Sequence, residues 1–234
     1  MPDEADVNVV APSVVAIRQF DTVRLIPSRF ADTSDSVLEA IADDRQHLTD
    51  LFDLDNATNQ RLVGESGGLP GIGVDELVFG IPNFRIINAS FTYPRPEGSR
   101  FNSGERGAWY CSFDAQTALA EVIFHKTIEY AEIDWFEDSV SYQGYFADFN
   151  ASFHDLRGTA DFHGCLDPLS YIESQAMAAQ LLSSGSLGLV FPSVRYPAGT
   201  NLVCFRPALV GNVHKADSYQ VTWSGKSPPV VQKL

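Results

Sequence analysis

The chain has 234 residues, with 44% hydrophobic and 12% aromatic content, and carries 30 acidic against 16 basic side chains for a formal net charge of −14. Such content belongs to a folded globule long enough for one well-cored domain, which excludes disorder as the main architecture. The acidic excess excludes a broad nucleic-acid-binding face, which needs surplus lysine and arginine to release counterions; any anionic ligand must be gripped by a few local arginines.

Residues 1–15 read as a loose tail, with Pro2, Pro12 and an acidic start, and the remainder, 16–234, as a single domain. A strand is predicted at about Val14–Ile26, ending in IPSRF. From Ser34 to about Arg61 the apolar residues Val37, Leu38, Ile41, Leu48, Leu51, Phe52 and Leu54 recur at helical spacing, predicting one or two amphipathic helices. A glycine-rich loop follows at 64–73, then strand-like runs at Glu76–Phe79 and Ala89–Tyr93. Ala108–Ser112 reads as a strand, and Ser112 or Asp114 as the N-cap of a helix running to about Thr127. Strand-length segments recur at Ser139–Phe149, Gly188–Phe191, Asn201–Pro207 and Tyr219–Trp223. Between them SYIESQAMAAQLLSSG reads as a helix with an apolar stripe of Tyr171, Ile172, Ala176, Ala179 and Leu182, ended by Gly185. Strands and helices mix without strict βαβ alternation, so the expected class is α+β.

Cys111, Cys165 and Cys204 are odd in number and far apart, supporting neither a disulfide framework nor a zinc knuckle. The N-terminal stretch lacks the basic region and long apolar core of a secretion signal, and no run approaches a membrane span, so the expectation is a cytoplasmic protein without a membrane partner. The five histidines form no metal-ligand spacing, no G-x-S-x-G serine is present, and no metal is expected.

The stretch GSRFNSGERGAWYCSFDAQTALAEVIFH, residues 98–125, concentrates the candidate chemistry. On a helix Thr117, Glu121 and His125 share one stripe. Spacing alone favours a solvent-facing Glu121 paired with His125; the other reading, an acid in a cleft, needs a polar wall, which Arg100, Asn102 and Arg106 among glycines could provide. Guanidinium groups suit phosphate because they make two parallel hydrogen bonds, and Arg24, Arg29, Arg100, Arg106 and Arg195 are the candidates, each also able to serve as an ordinary ion-pair partner. Tyr110 reads as core on pattern, or as a ring that stacks on a flat heterocycle. PSVRYPAGTN at 192–201 is turn-like.

Three blocks in order resemble the RES domain, a toxin family named for its Arg, Glu and Ser and paired in bacteria with Xre-type antitoxins. VRLIPSRF at 23–30 is similar to the arginine strand, residues 98–125 to the G-G-R-W-N…Y…E block, and GLVFPSVRYPAGTNLVCFRP at 188–207 to the serine block. Phe101 stands where tryptophan is usual, Leu25 follows Arg24 where some members have an aromatic, and a helical insertion at about 31–92 separates the first two blocks. The resemblance implies an ADP-ribosyltransferase-like fold and cleavage of the nicotinamide–ribose bond of NAD+, with phosphate or water as acceptor and no cofactor required. It assigns Arg24 (or Arg29), Tyr110, Glu121 and Ser193 as catalytic and Arg100 and Asn102 as substrate-binding; Arg100 or Arg195 would supply the second anion site that a phosphate acceptor needs. It also implies an antitoxin partner, for which the 31–61 helices are one contact candidate, and leaves a homo-oligomer open. A protein ADP-ribosyltransferase or a non-catalytic ADP-ribose-binding module are the alternatives.

Overall fold

A computed structural model describes residues 11–31 and 71–234, so the predicted 34–61 helices and most of the tail lie outside the described residues. The class is α+β: among the described residues a seven-stranded sheet ordered β1-β2-β5-β4-β3-β6-β7 carries three α-helices. The strands are β1 (Val14–Pro27), β2 (Trp109–Ser112), β3 (Glu137–Asp155), β4 (Gly188–Pro192), β5 (Thr200–Cys204), β6 (Gly211–Ser224) and β7 (Val230–Lys233); the helices are α1 (Phe84–Thr92), α2 (Ala115–Glu132) and α3 (Ile172–Ser183).

β3 organises the sheet. It pairs antiparallel with β1 from Val14↔His154 to Pro27↔Tyr142, with β6 from Glu137↔Ser224 to Asp148↔Gly211, and in parallel with β4 at His154↔Leu189. Because β1 also meets β2 at Val23↔Ser112, the pairings β3-β1-β2-β5-β4-β3 close a ring, from which β6 and β7 extend. The ring brings β1, β2 and β5 together although 86 residues separate Arg24 from Tyr110.

Each helix buries one face. α1 lays Ile86, Ile87 and Phe91 on Trp109, Tyr145, Phe149 and Phe153; α2 lays Ala118, Leu119 and Tyr130 on Val23, Leu25, Tyr142 and Trp223; α3 lays Met177, Ala178 and Leu181 on Phe101, Leu189, Phe191 and Val203. A fully buried Phe91 or Ile87 contributes roughly 1.5–3 kcal/mol each. Phe101, in the place of a tryptophan, is buried edge-on to Phe191 at 4.7 Å.

Three local expectations are corrected. Ala89–Tyr93, rich in β-formers, is the end of α1, because Ile86, Ile87 and Phe91 fall on one helical face and the Ser90 and Thr92 hydroxyls donate to the carbonyls of Ile86 and Asn88. Glu76–Phe79 is not a strand: Val74–Glu76 form a 3-10 turn. On α3 the buried stripe is Ser174, Met177, Ala178 and Leu181, leaving Ile172 79% exposed, one position out of phase with the predicted stripe.

Glu76 serves the fold. Its carboxylate accepts a bidentate pair from buried Arg106 at 2.8 and 2.9 Å and a third bond from Arg206 at 2.9 Å, so Arg106 is structural rather than a ligand for substrate. The Arg106 hydrogen bonds hold the Glu76 carboxyl down at about 2. A depressed carboxyl pKa contributes stability that is present above the unfolded value near 4.5 and is lost as pH falls toward 2. Glu76→Gln is therefore expected to lower Tm by roughly 5–10 °C at pH 7 and to shrink the fall in Tm between pH 5 and pH 2, as read by thermal denaturation across that range.

Candidate active site

The site starts from the beginning of α2. Asp114 caps the helix in an extended conformation: its carboxylate accepts from the Thr117 amide at 2.8 Å and the Thr117 hydroxyl at 2.7 Å. That cap anchors the first turn of the helix through the buried Thr117, and one and two turns further along the same stripe Glu121 and His125 face β1, β2 and β5 across a cleft of about 760 Å³, within the range of small-molecule sites. Arg24, Arg100, Tyr110, Glu121, His125 and Asn201 line it.

The β4–β5 turn presses on the first turn of α2. Gly199 makes this possible, since a Cβ there would lie 2.5 Å from Thr117 Oγ1. The turn is closed by Ser193 N–H to Gly199 O at 2.9 Å. Ser193 Oγ accepts the amides of Arg195 and Tyr196 at 3.1 and 3.0 Å, leaving its proton for Glu121 Oε1 at 2.7 Å. Asn201 Nδ2 donates to the same Glu121 oxygen at 2.7 Å. Glu121 is thus half-buried and held from the sheet side by Ser193 and Asn201, not paired outward with His125.

Arg24 reaches the cleft floor from β1. Its guanidinium lies over the Trp109 ring at 4.9 Å and donates to the Tyr110 carbonyl at 3.0 Å, while its Nε is buried without a hydrogen-bond partner. Burial lowers its pKa to about 10, so it stays charged at neutral pH. Arg29, by contrast, is exposed on the 3-10 turn Ser28–Phe30, stacked on Phe30, and does not line the cleft.

Gly98, with φ +76°, turns the chain so that Ser99 and Asn102 exchange backbone hydrogen bonds at 2.9 and 3.3 Å. This tight loop sends Arg100 inward, where it is buried, donates to the carbonyls of Cys165 and Asp167 at 3.1 and 2.7 Å, and lies over the Tyr171 ring at 4.8 Å. Burial lowers its pKa as well. Tyr110 lines the cleft with its ring, but its hydroxyl is committed: it donates to Asn102 Oδ1 at 2.8 Å and accepts the Phe101 amide at 2.9 Å, and burial pushes its pKa up. Asn102 therefore fixes Tyr110 and the loop and does not itself line the cleft.

Arg195 lies at the rim, 3.3 Å from the Phe124 ring centroid, donating to the Pro168 carbonyl at 2.5 Å. Burial lowers the His125 pKa; Glu121 opposes that shift and the nearby arginines add to it. The three cysteines are buried and free; burial pushes the Cys111 and Cys204 thiols up to about 12. Among the described residues no group of three or more His, Cys, Asp or Glu could hold a metal ion, and no helix is long and apolar enough to cross a membrane.

Arg24, Arg100, Tyr110, Glu121 and Ser193 thus converge, with Asn102 and Arg195 bracing the margins. Sequence reasoning missed Asn201 and its partner Ser112 as site residues; the available signal was the polar pair Thr200-Asn201 at the start of an otherwise apolar strand, TNLVC.

The family model described as RES domain matches residues 77–224. The chain belongs to the RES domain family. The RES match runs from just before α1 through β6, so it takes in 77–92 of the segment read as an insertion and every candidate site residue except Arg24 and Arg29. An uncharacterized protein of Sinorhizobium fredii, y4oC, is 38% identical over 106 residues, covering 45% of this RES chain and 43% of the relative, so the match spans less than half of either protein. Among solved structures, the M. tuberculosis MbcT-MbcA toxin-antitoxin complex contains a chain similar at a TM-score of 0.47 and 12% identity, over 89% of this chain and 87% of that one. At that distance the likeness carries no functional argument.

Proposed function

We propose that this RES domain degrades NAD+ by cleaving its nicotinamide–ribose bond, as a phosphorylase or glycohydrolase, and acts as the toxin of a toxin–antitoxin pair. The observation that carries the proposal is Glu121, held on one oxygen by Ser193 and Asn201 in a cleft that also contains Arg24 and Arg100.

The chemistry asks for little more. Nicotinamide departs as a neutral base, so the leaving group needs no acid; the oxocarbenium-like ribose needs a fixed negative charge beside it, which a positioned carboxylate supplies. Glu121 takes that role and accepts hydrogen bonds from the ribose hydroxyls. Arg24 and Arg100 supply the positive charge that the pyrophosphate requires in an otherwise acidic protein. The Tyr110 ring offers an apolar face to the nicotinamide, its tilt set through Asn102 and the Phe101 amide. Arg195 stands at the rim as a site for an acceptor phosphate.

The test is incubation of purified protein with NAD+, with and without inorganic phosphate, following nicotinamide and the ADP-ribosyl product. Release of free nicotinamide is expected; an ADP-ribose 1-phosphate product identifies phosphorolysis and free ADP-ribose identifies hydrolysis. Label appearing on protein would move the reading to an ADP-ribosyltransferase. NAD+ left intact under both conditions, with cellular NAD+ unchanged on expression, would overturn the enzyme reading.

A further inference from the structure

The hydrogen bonds behind Glu121 form a chain. Ser112 on β2 and Asn201 on β5 are cross-strand register partners, both buried. The Ser112 hydroxyl donates to Asn201 Oδ1 at 2.6 Å, and Asn201 Nδ2 donates to Glu121 Oε1 at 2.7 Å. Direction is forced at each link. A carboxylate only accepts, so the carboxamide must turn its NH2 group toward Glu121, and its oxygen then needs a donor on the far side, which Ser112 provides. Ser193 reaches the same Oε1 from the β4–β5 turn, and no hydrogen bond from the described residues reaches Oε2.

From this geometry we infer that Asn201, braced by Ser112, is the positioning residue that locks Glu121 so that Oε2 faces the substrate. The inference rests on Glu121 acting at the ribose. Ser193 alone does not set the carboxylate plane, because a single hydrogen bond to one oxygen leaves rotation about the Cγ–Cδ bond open. A second donor from a different direction, mounted on a sheet strand, removes that freedom before substrate arrives. Electrostatic stabilisation depends on such preorganisation, since a charge that must reorient during the reaction gives back part of its effect.

The discriminating variant is Asn201→Asp. It preserves volume and the acceptor for Ser112, and replaces only the NH2 donor with a second carboxyl group beside Glu121. At pH 7.5 the turnover number for nicotinamide release is expected to fall roughly tenfold to hundredfold, with KM for NAD+ changed less than about threefold. Two adjacent carboxyl groups share a proton more readily than either alone. On acidification toward pH 5 the introduced group, once protonated, can donate to Glu121, so the variant should recover relative to wild type, a response that loss of packing would not give. Ser112→Ala, which frees the far end of the amide, should lose less, about threefold to tenfold. Wild-type turnover in Asn201→Asp, or an equal deficit at every pH, would overturn the inference while leaving the proposed function standing. Should wild type itself leave NAD+ intact, the proposed function fails, and the Tm losses of Asn201→Ala and Glu121→Ala, singly and together, still decide the positioning. Sub-additive losses support the coupling; additive ones overturn it.

Discussion

Glu121→Gln is expected to lower the rate of nicotinamide release by about 10²–10³-fold while leaving the fold and NAD+ binding nearly intact. The substitution removes the charge and turns an amide NH2, in place of Oε2, toward the substrate, where a ribose hydroxyl can accept from it. A glutamine carbonyl can still accept from Ser193 Oγ and Asn201 Nδ2, the two bonds of 2.7 Å that hold the native side chain, so no buried donor is orphaned. What disappears is the full negative charge beside the ribose as it becomes cationic, an interaction made mainly in the transition state, so the loss falls on kcat rather than KM. Steady-state kinetics with product quantification, set beside a thermal melt, read all three quantities. Full activity in the variant would remove Glu121 from the chemistry and favour a module that binds ADP-ribose without cleaving it.

The site was legible in its parts but not in its assembly. Helical spacing put Thr117, Glu121 and His125 on one stripe, and the structure keeps that stripe; what periodicity cannot supply is the opposite wall, which comes from Ser193 and Asn201, 72 and 80 residues further along the chain. Five arginines looked alike as text. Burial and partners separate them: Arg24 and Arg100 line the cleft, Arg106 is bound to Glu76, Arg29 stays on the surface, and Arg195 bridges Phe124 and Pro168. The misread segments fail for physical reasons as well. Ala89–Tyr93 has the composition of a strand, but tertiary burial of Ile86, Ile87 and Phe91 outweighs propensity, and β7 is too short and exposed to leave an alternating pattern. Strand β1 was readable as local sequence, whereas its pairing with both β2 and β3, which closes the ring and delivers Arg24 to the cleft floor, was not.

Arg24→Met is expected to weaken NAD+ binding by about 10²-fold and, at the same time, to raise Tm. Both effects follow from how the native guanidinium is held. Among the described residues it makes no ion pair; it has the Trp109 face, the Tyr110 carbonyl and a buried Nε with no partner, so its charge is desolvated without full compensation. A methionine fills much of the same volume against Trp109 and removes that cost, but it offers nothing to a pyrophosphate. Arg24→Lys tests the geometry separately, because an ammonium keeps the charge but cannot span Trp109, the Tyr110 carbonyl and a phosphate oxygen together; its affinity should fall between wild type and Arg24→Met. The native charge has its own pH signature. With its pKa lowered to about 10, Arg24 is cationic throughout the neutral range, and wild-type affinity should decline as pH rises through about 10, a limb absent from Arg24→Met. Isothermal titration in the Glu121→Gln background, where cleavage is slowed, measures each affinity, and differential scanning fluorimetry measures the change in Tm. Weaker binding together with a lower Tm would mean that Arg24 is part of the scaffold. Weaker binding with a higher Tm marks a residue whose stability cost is offset only when the anion arrives.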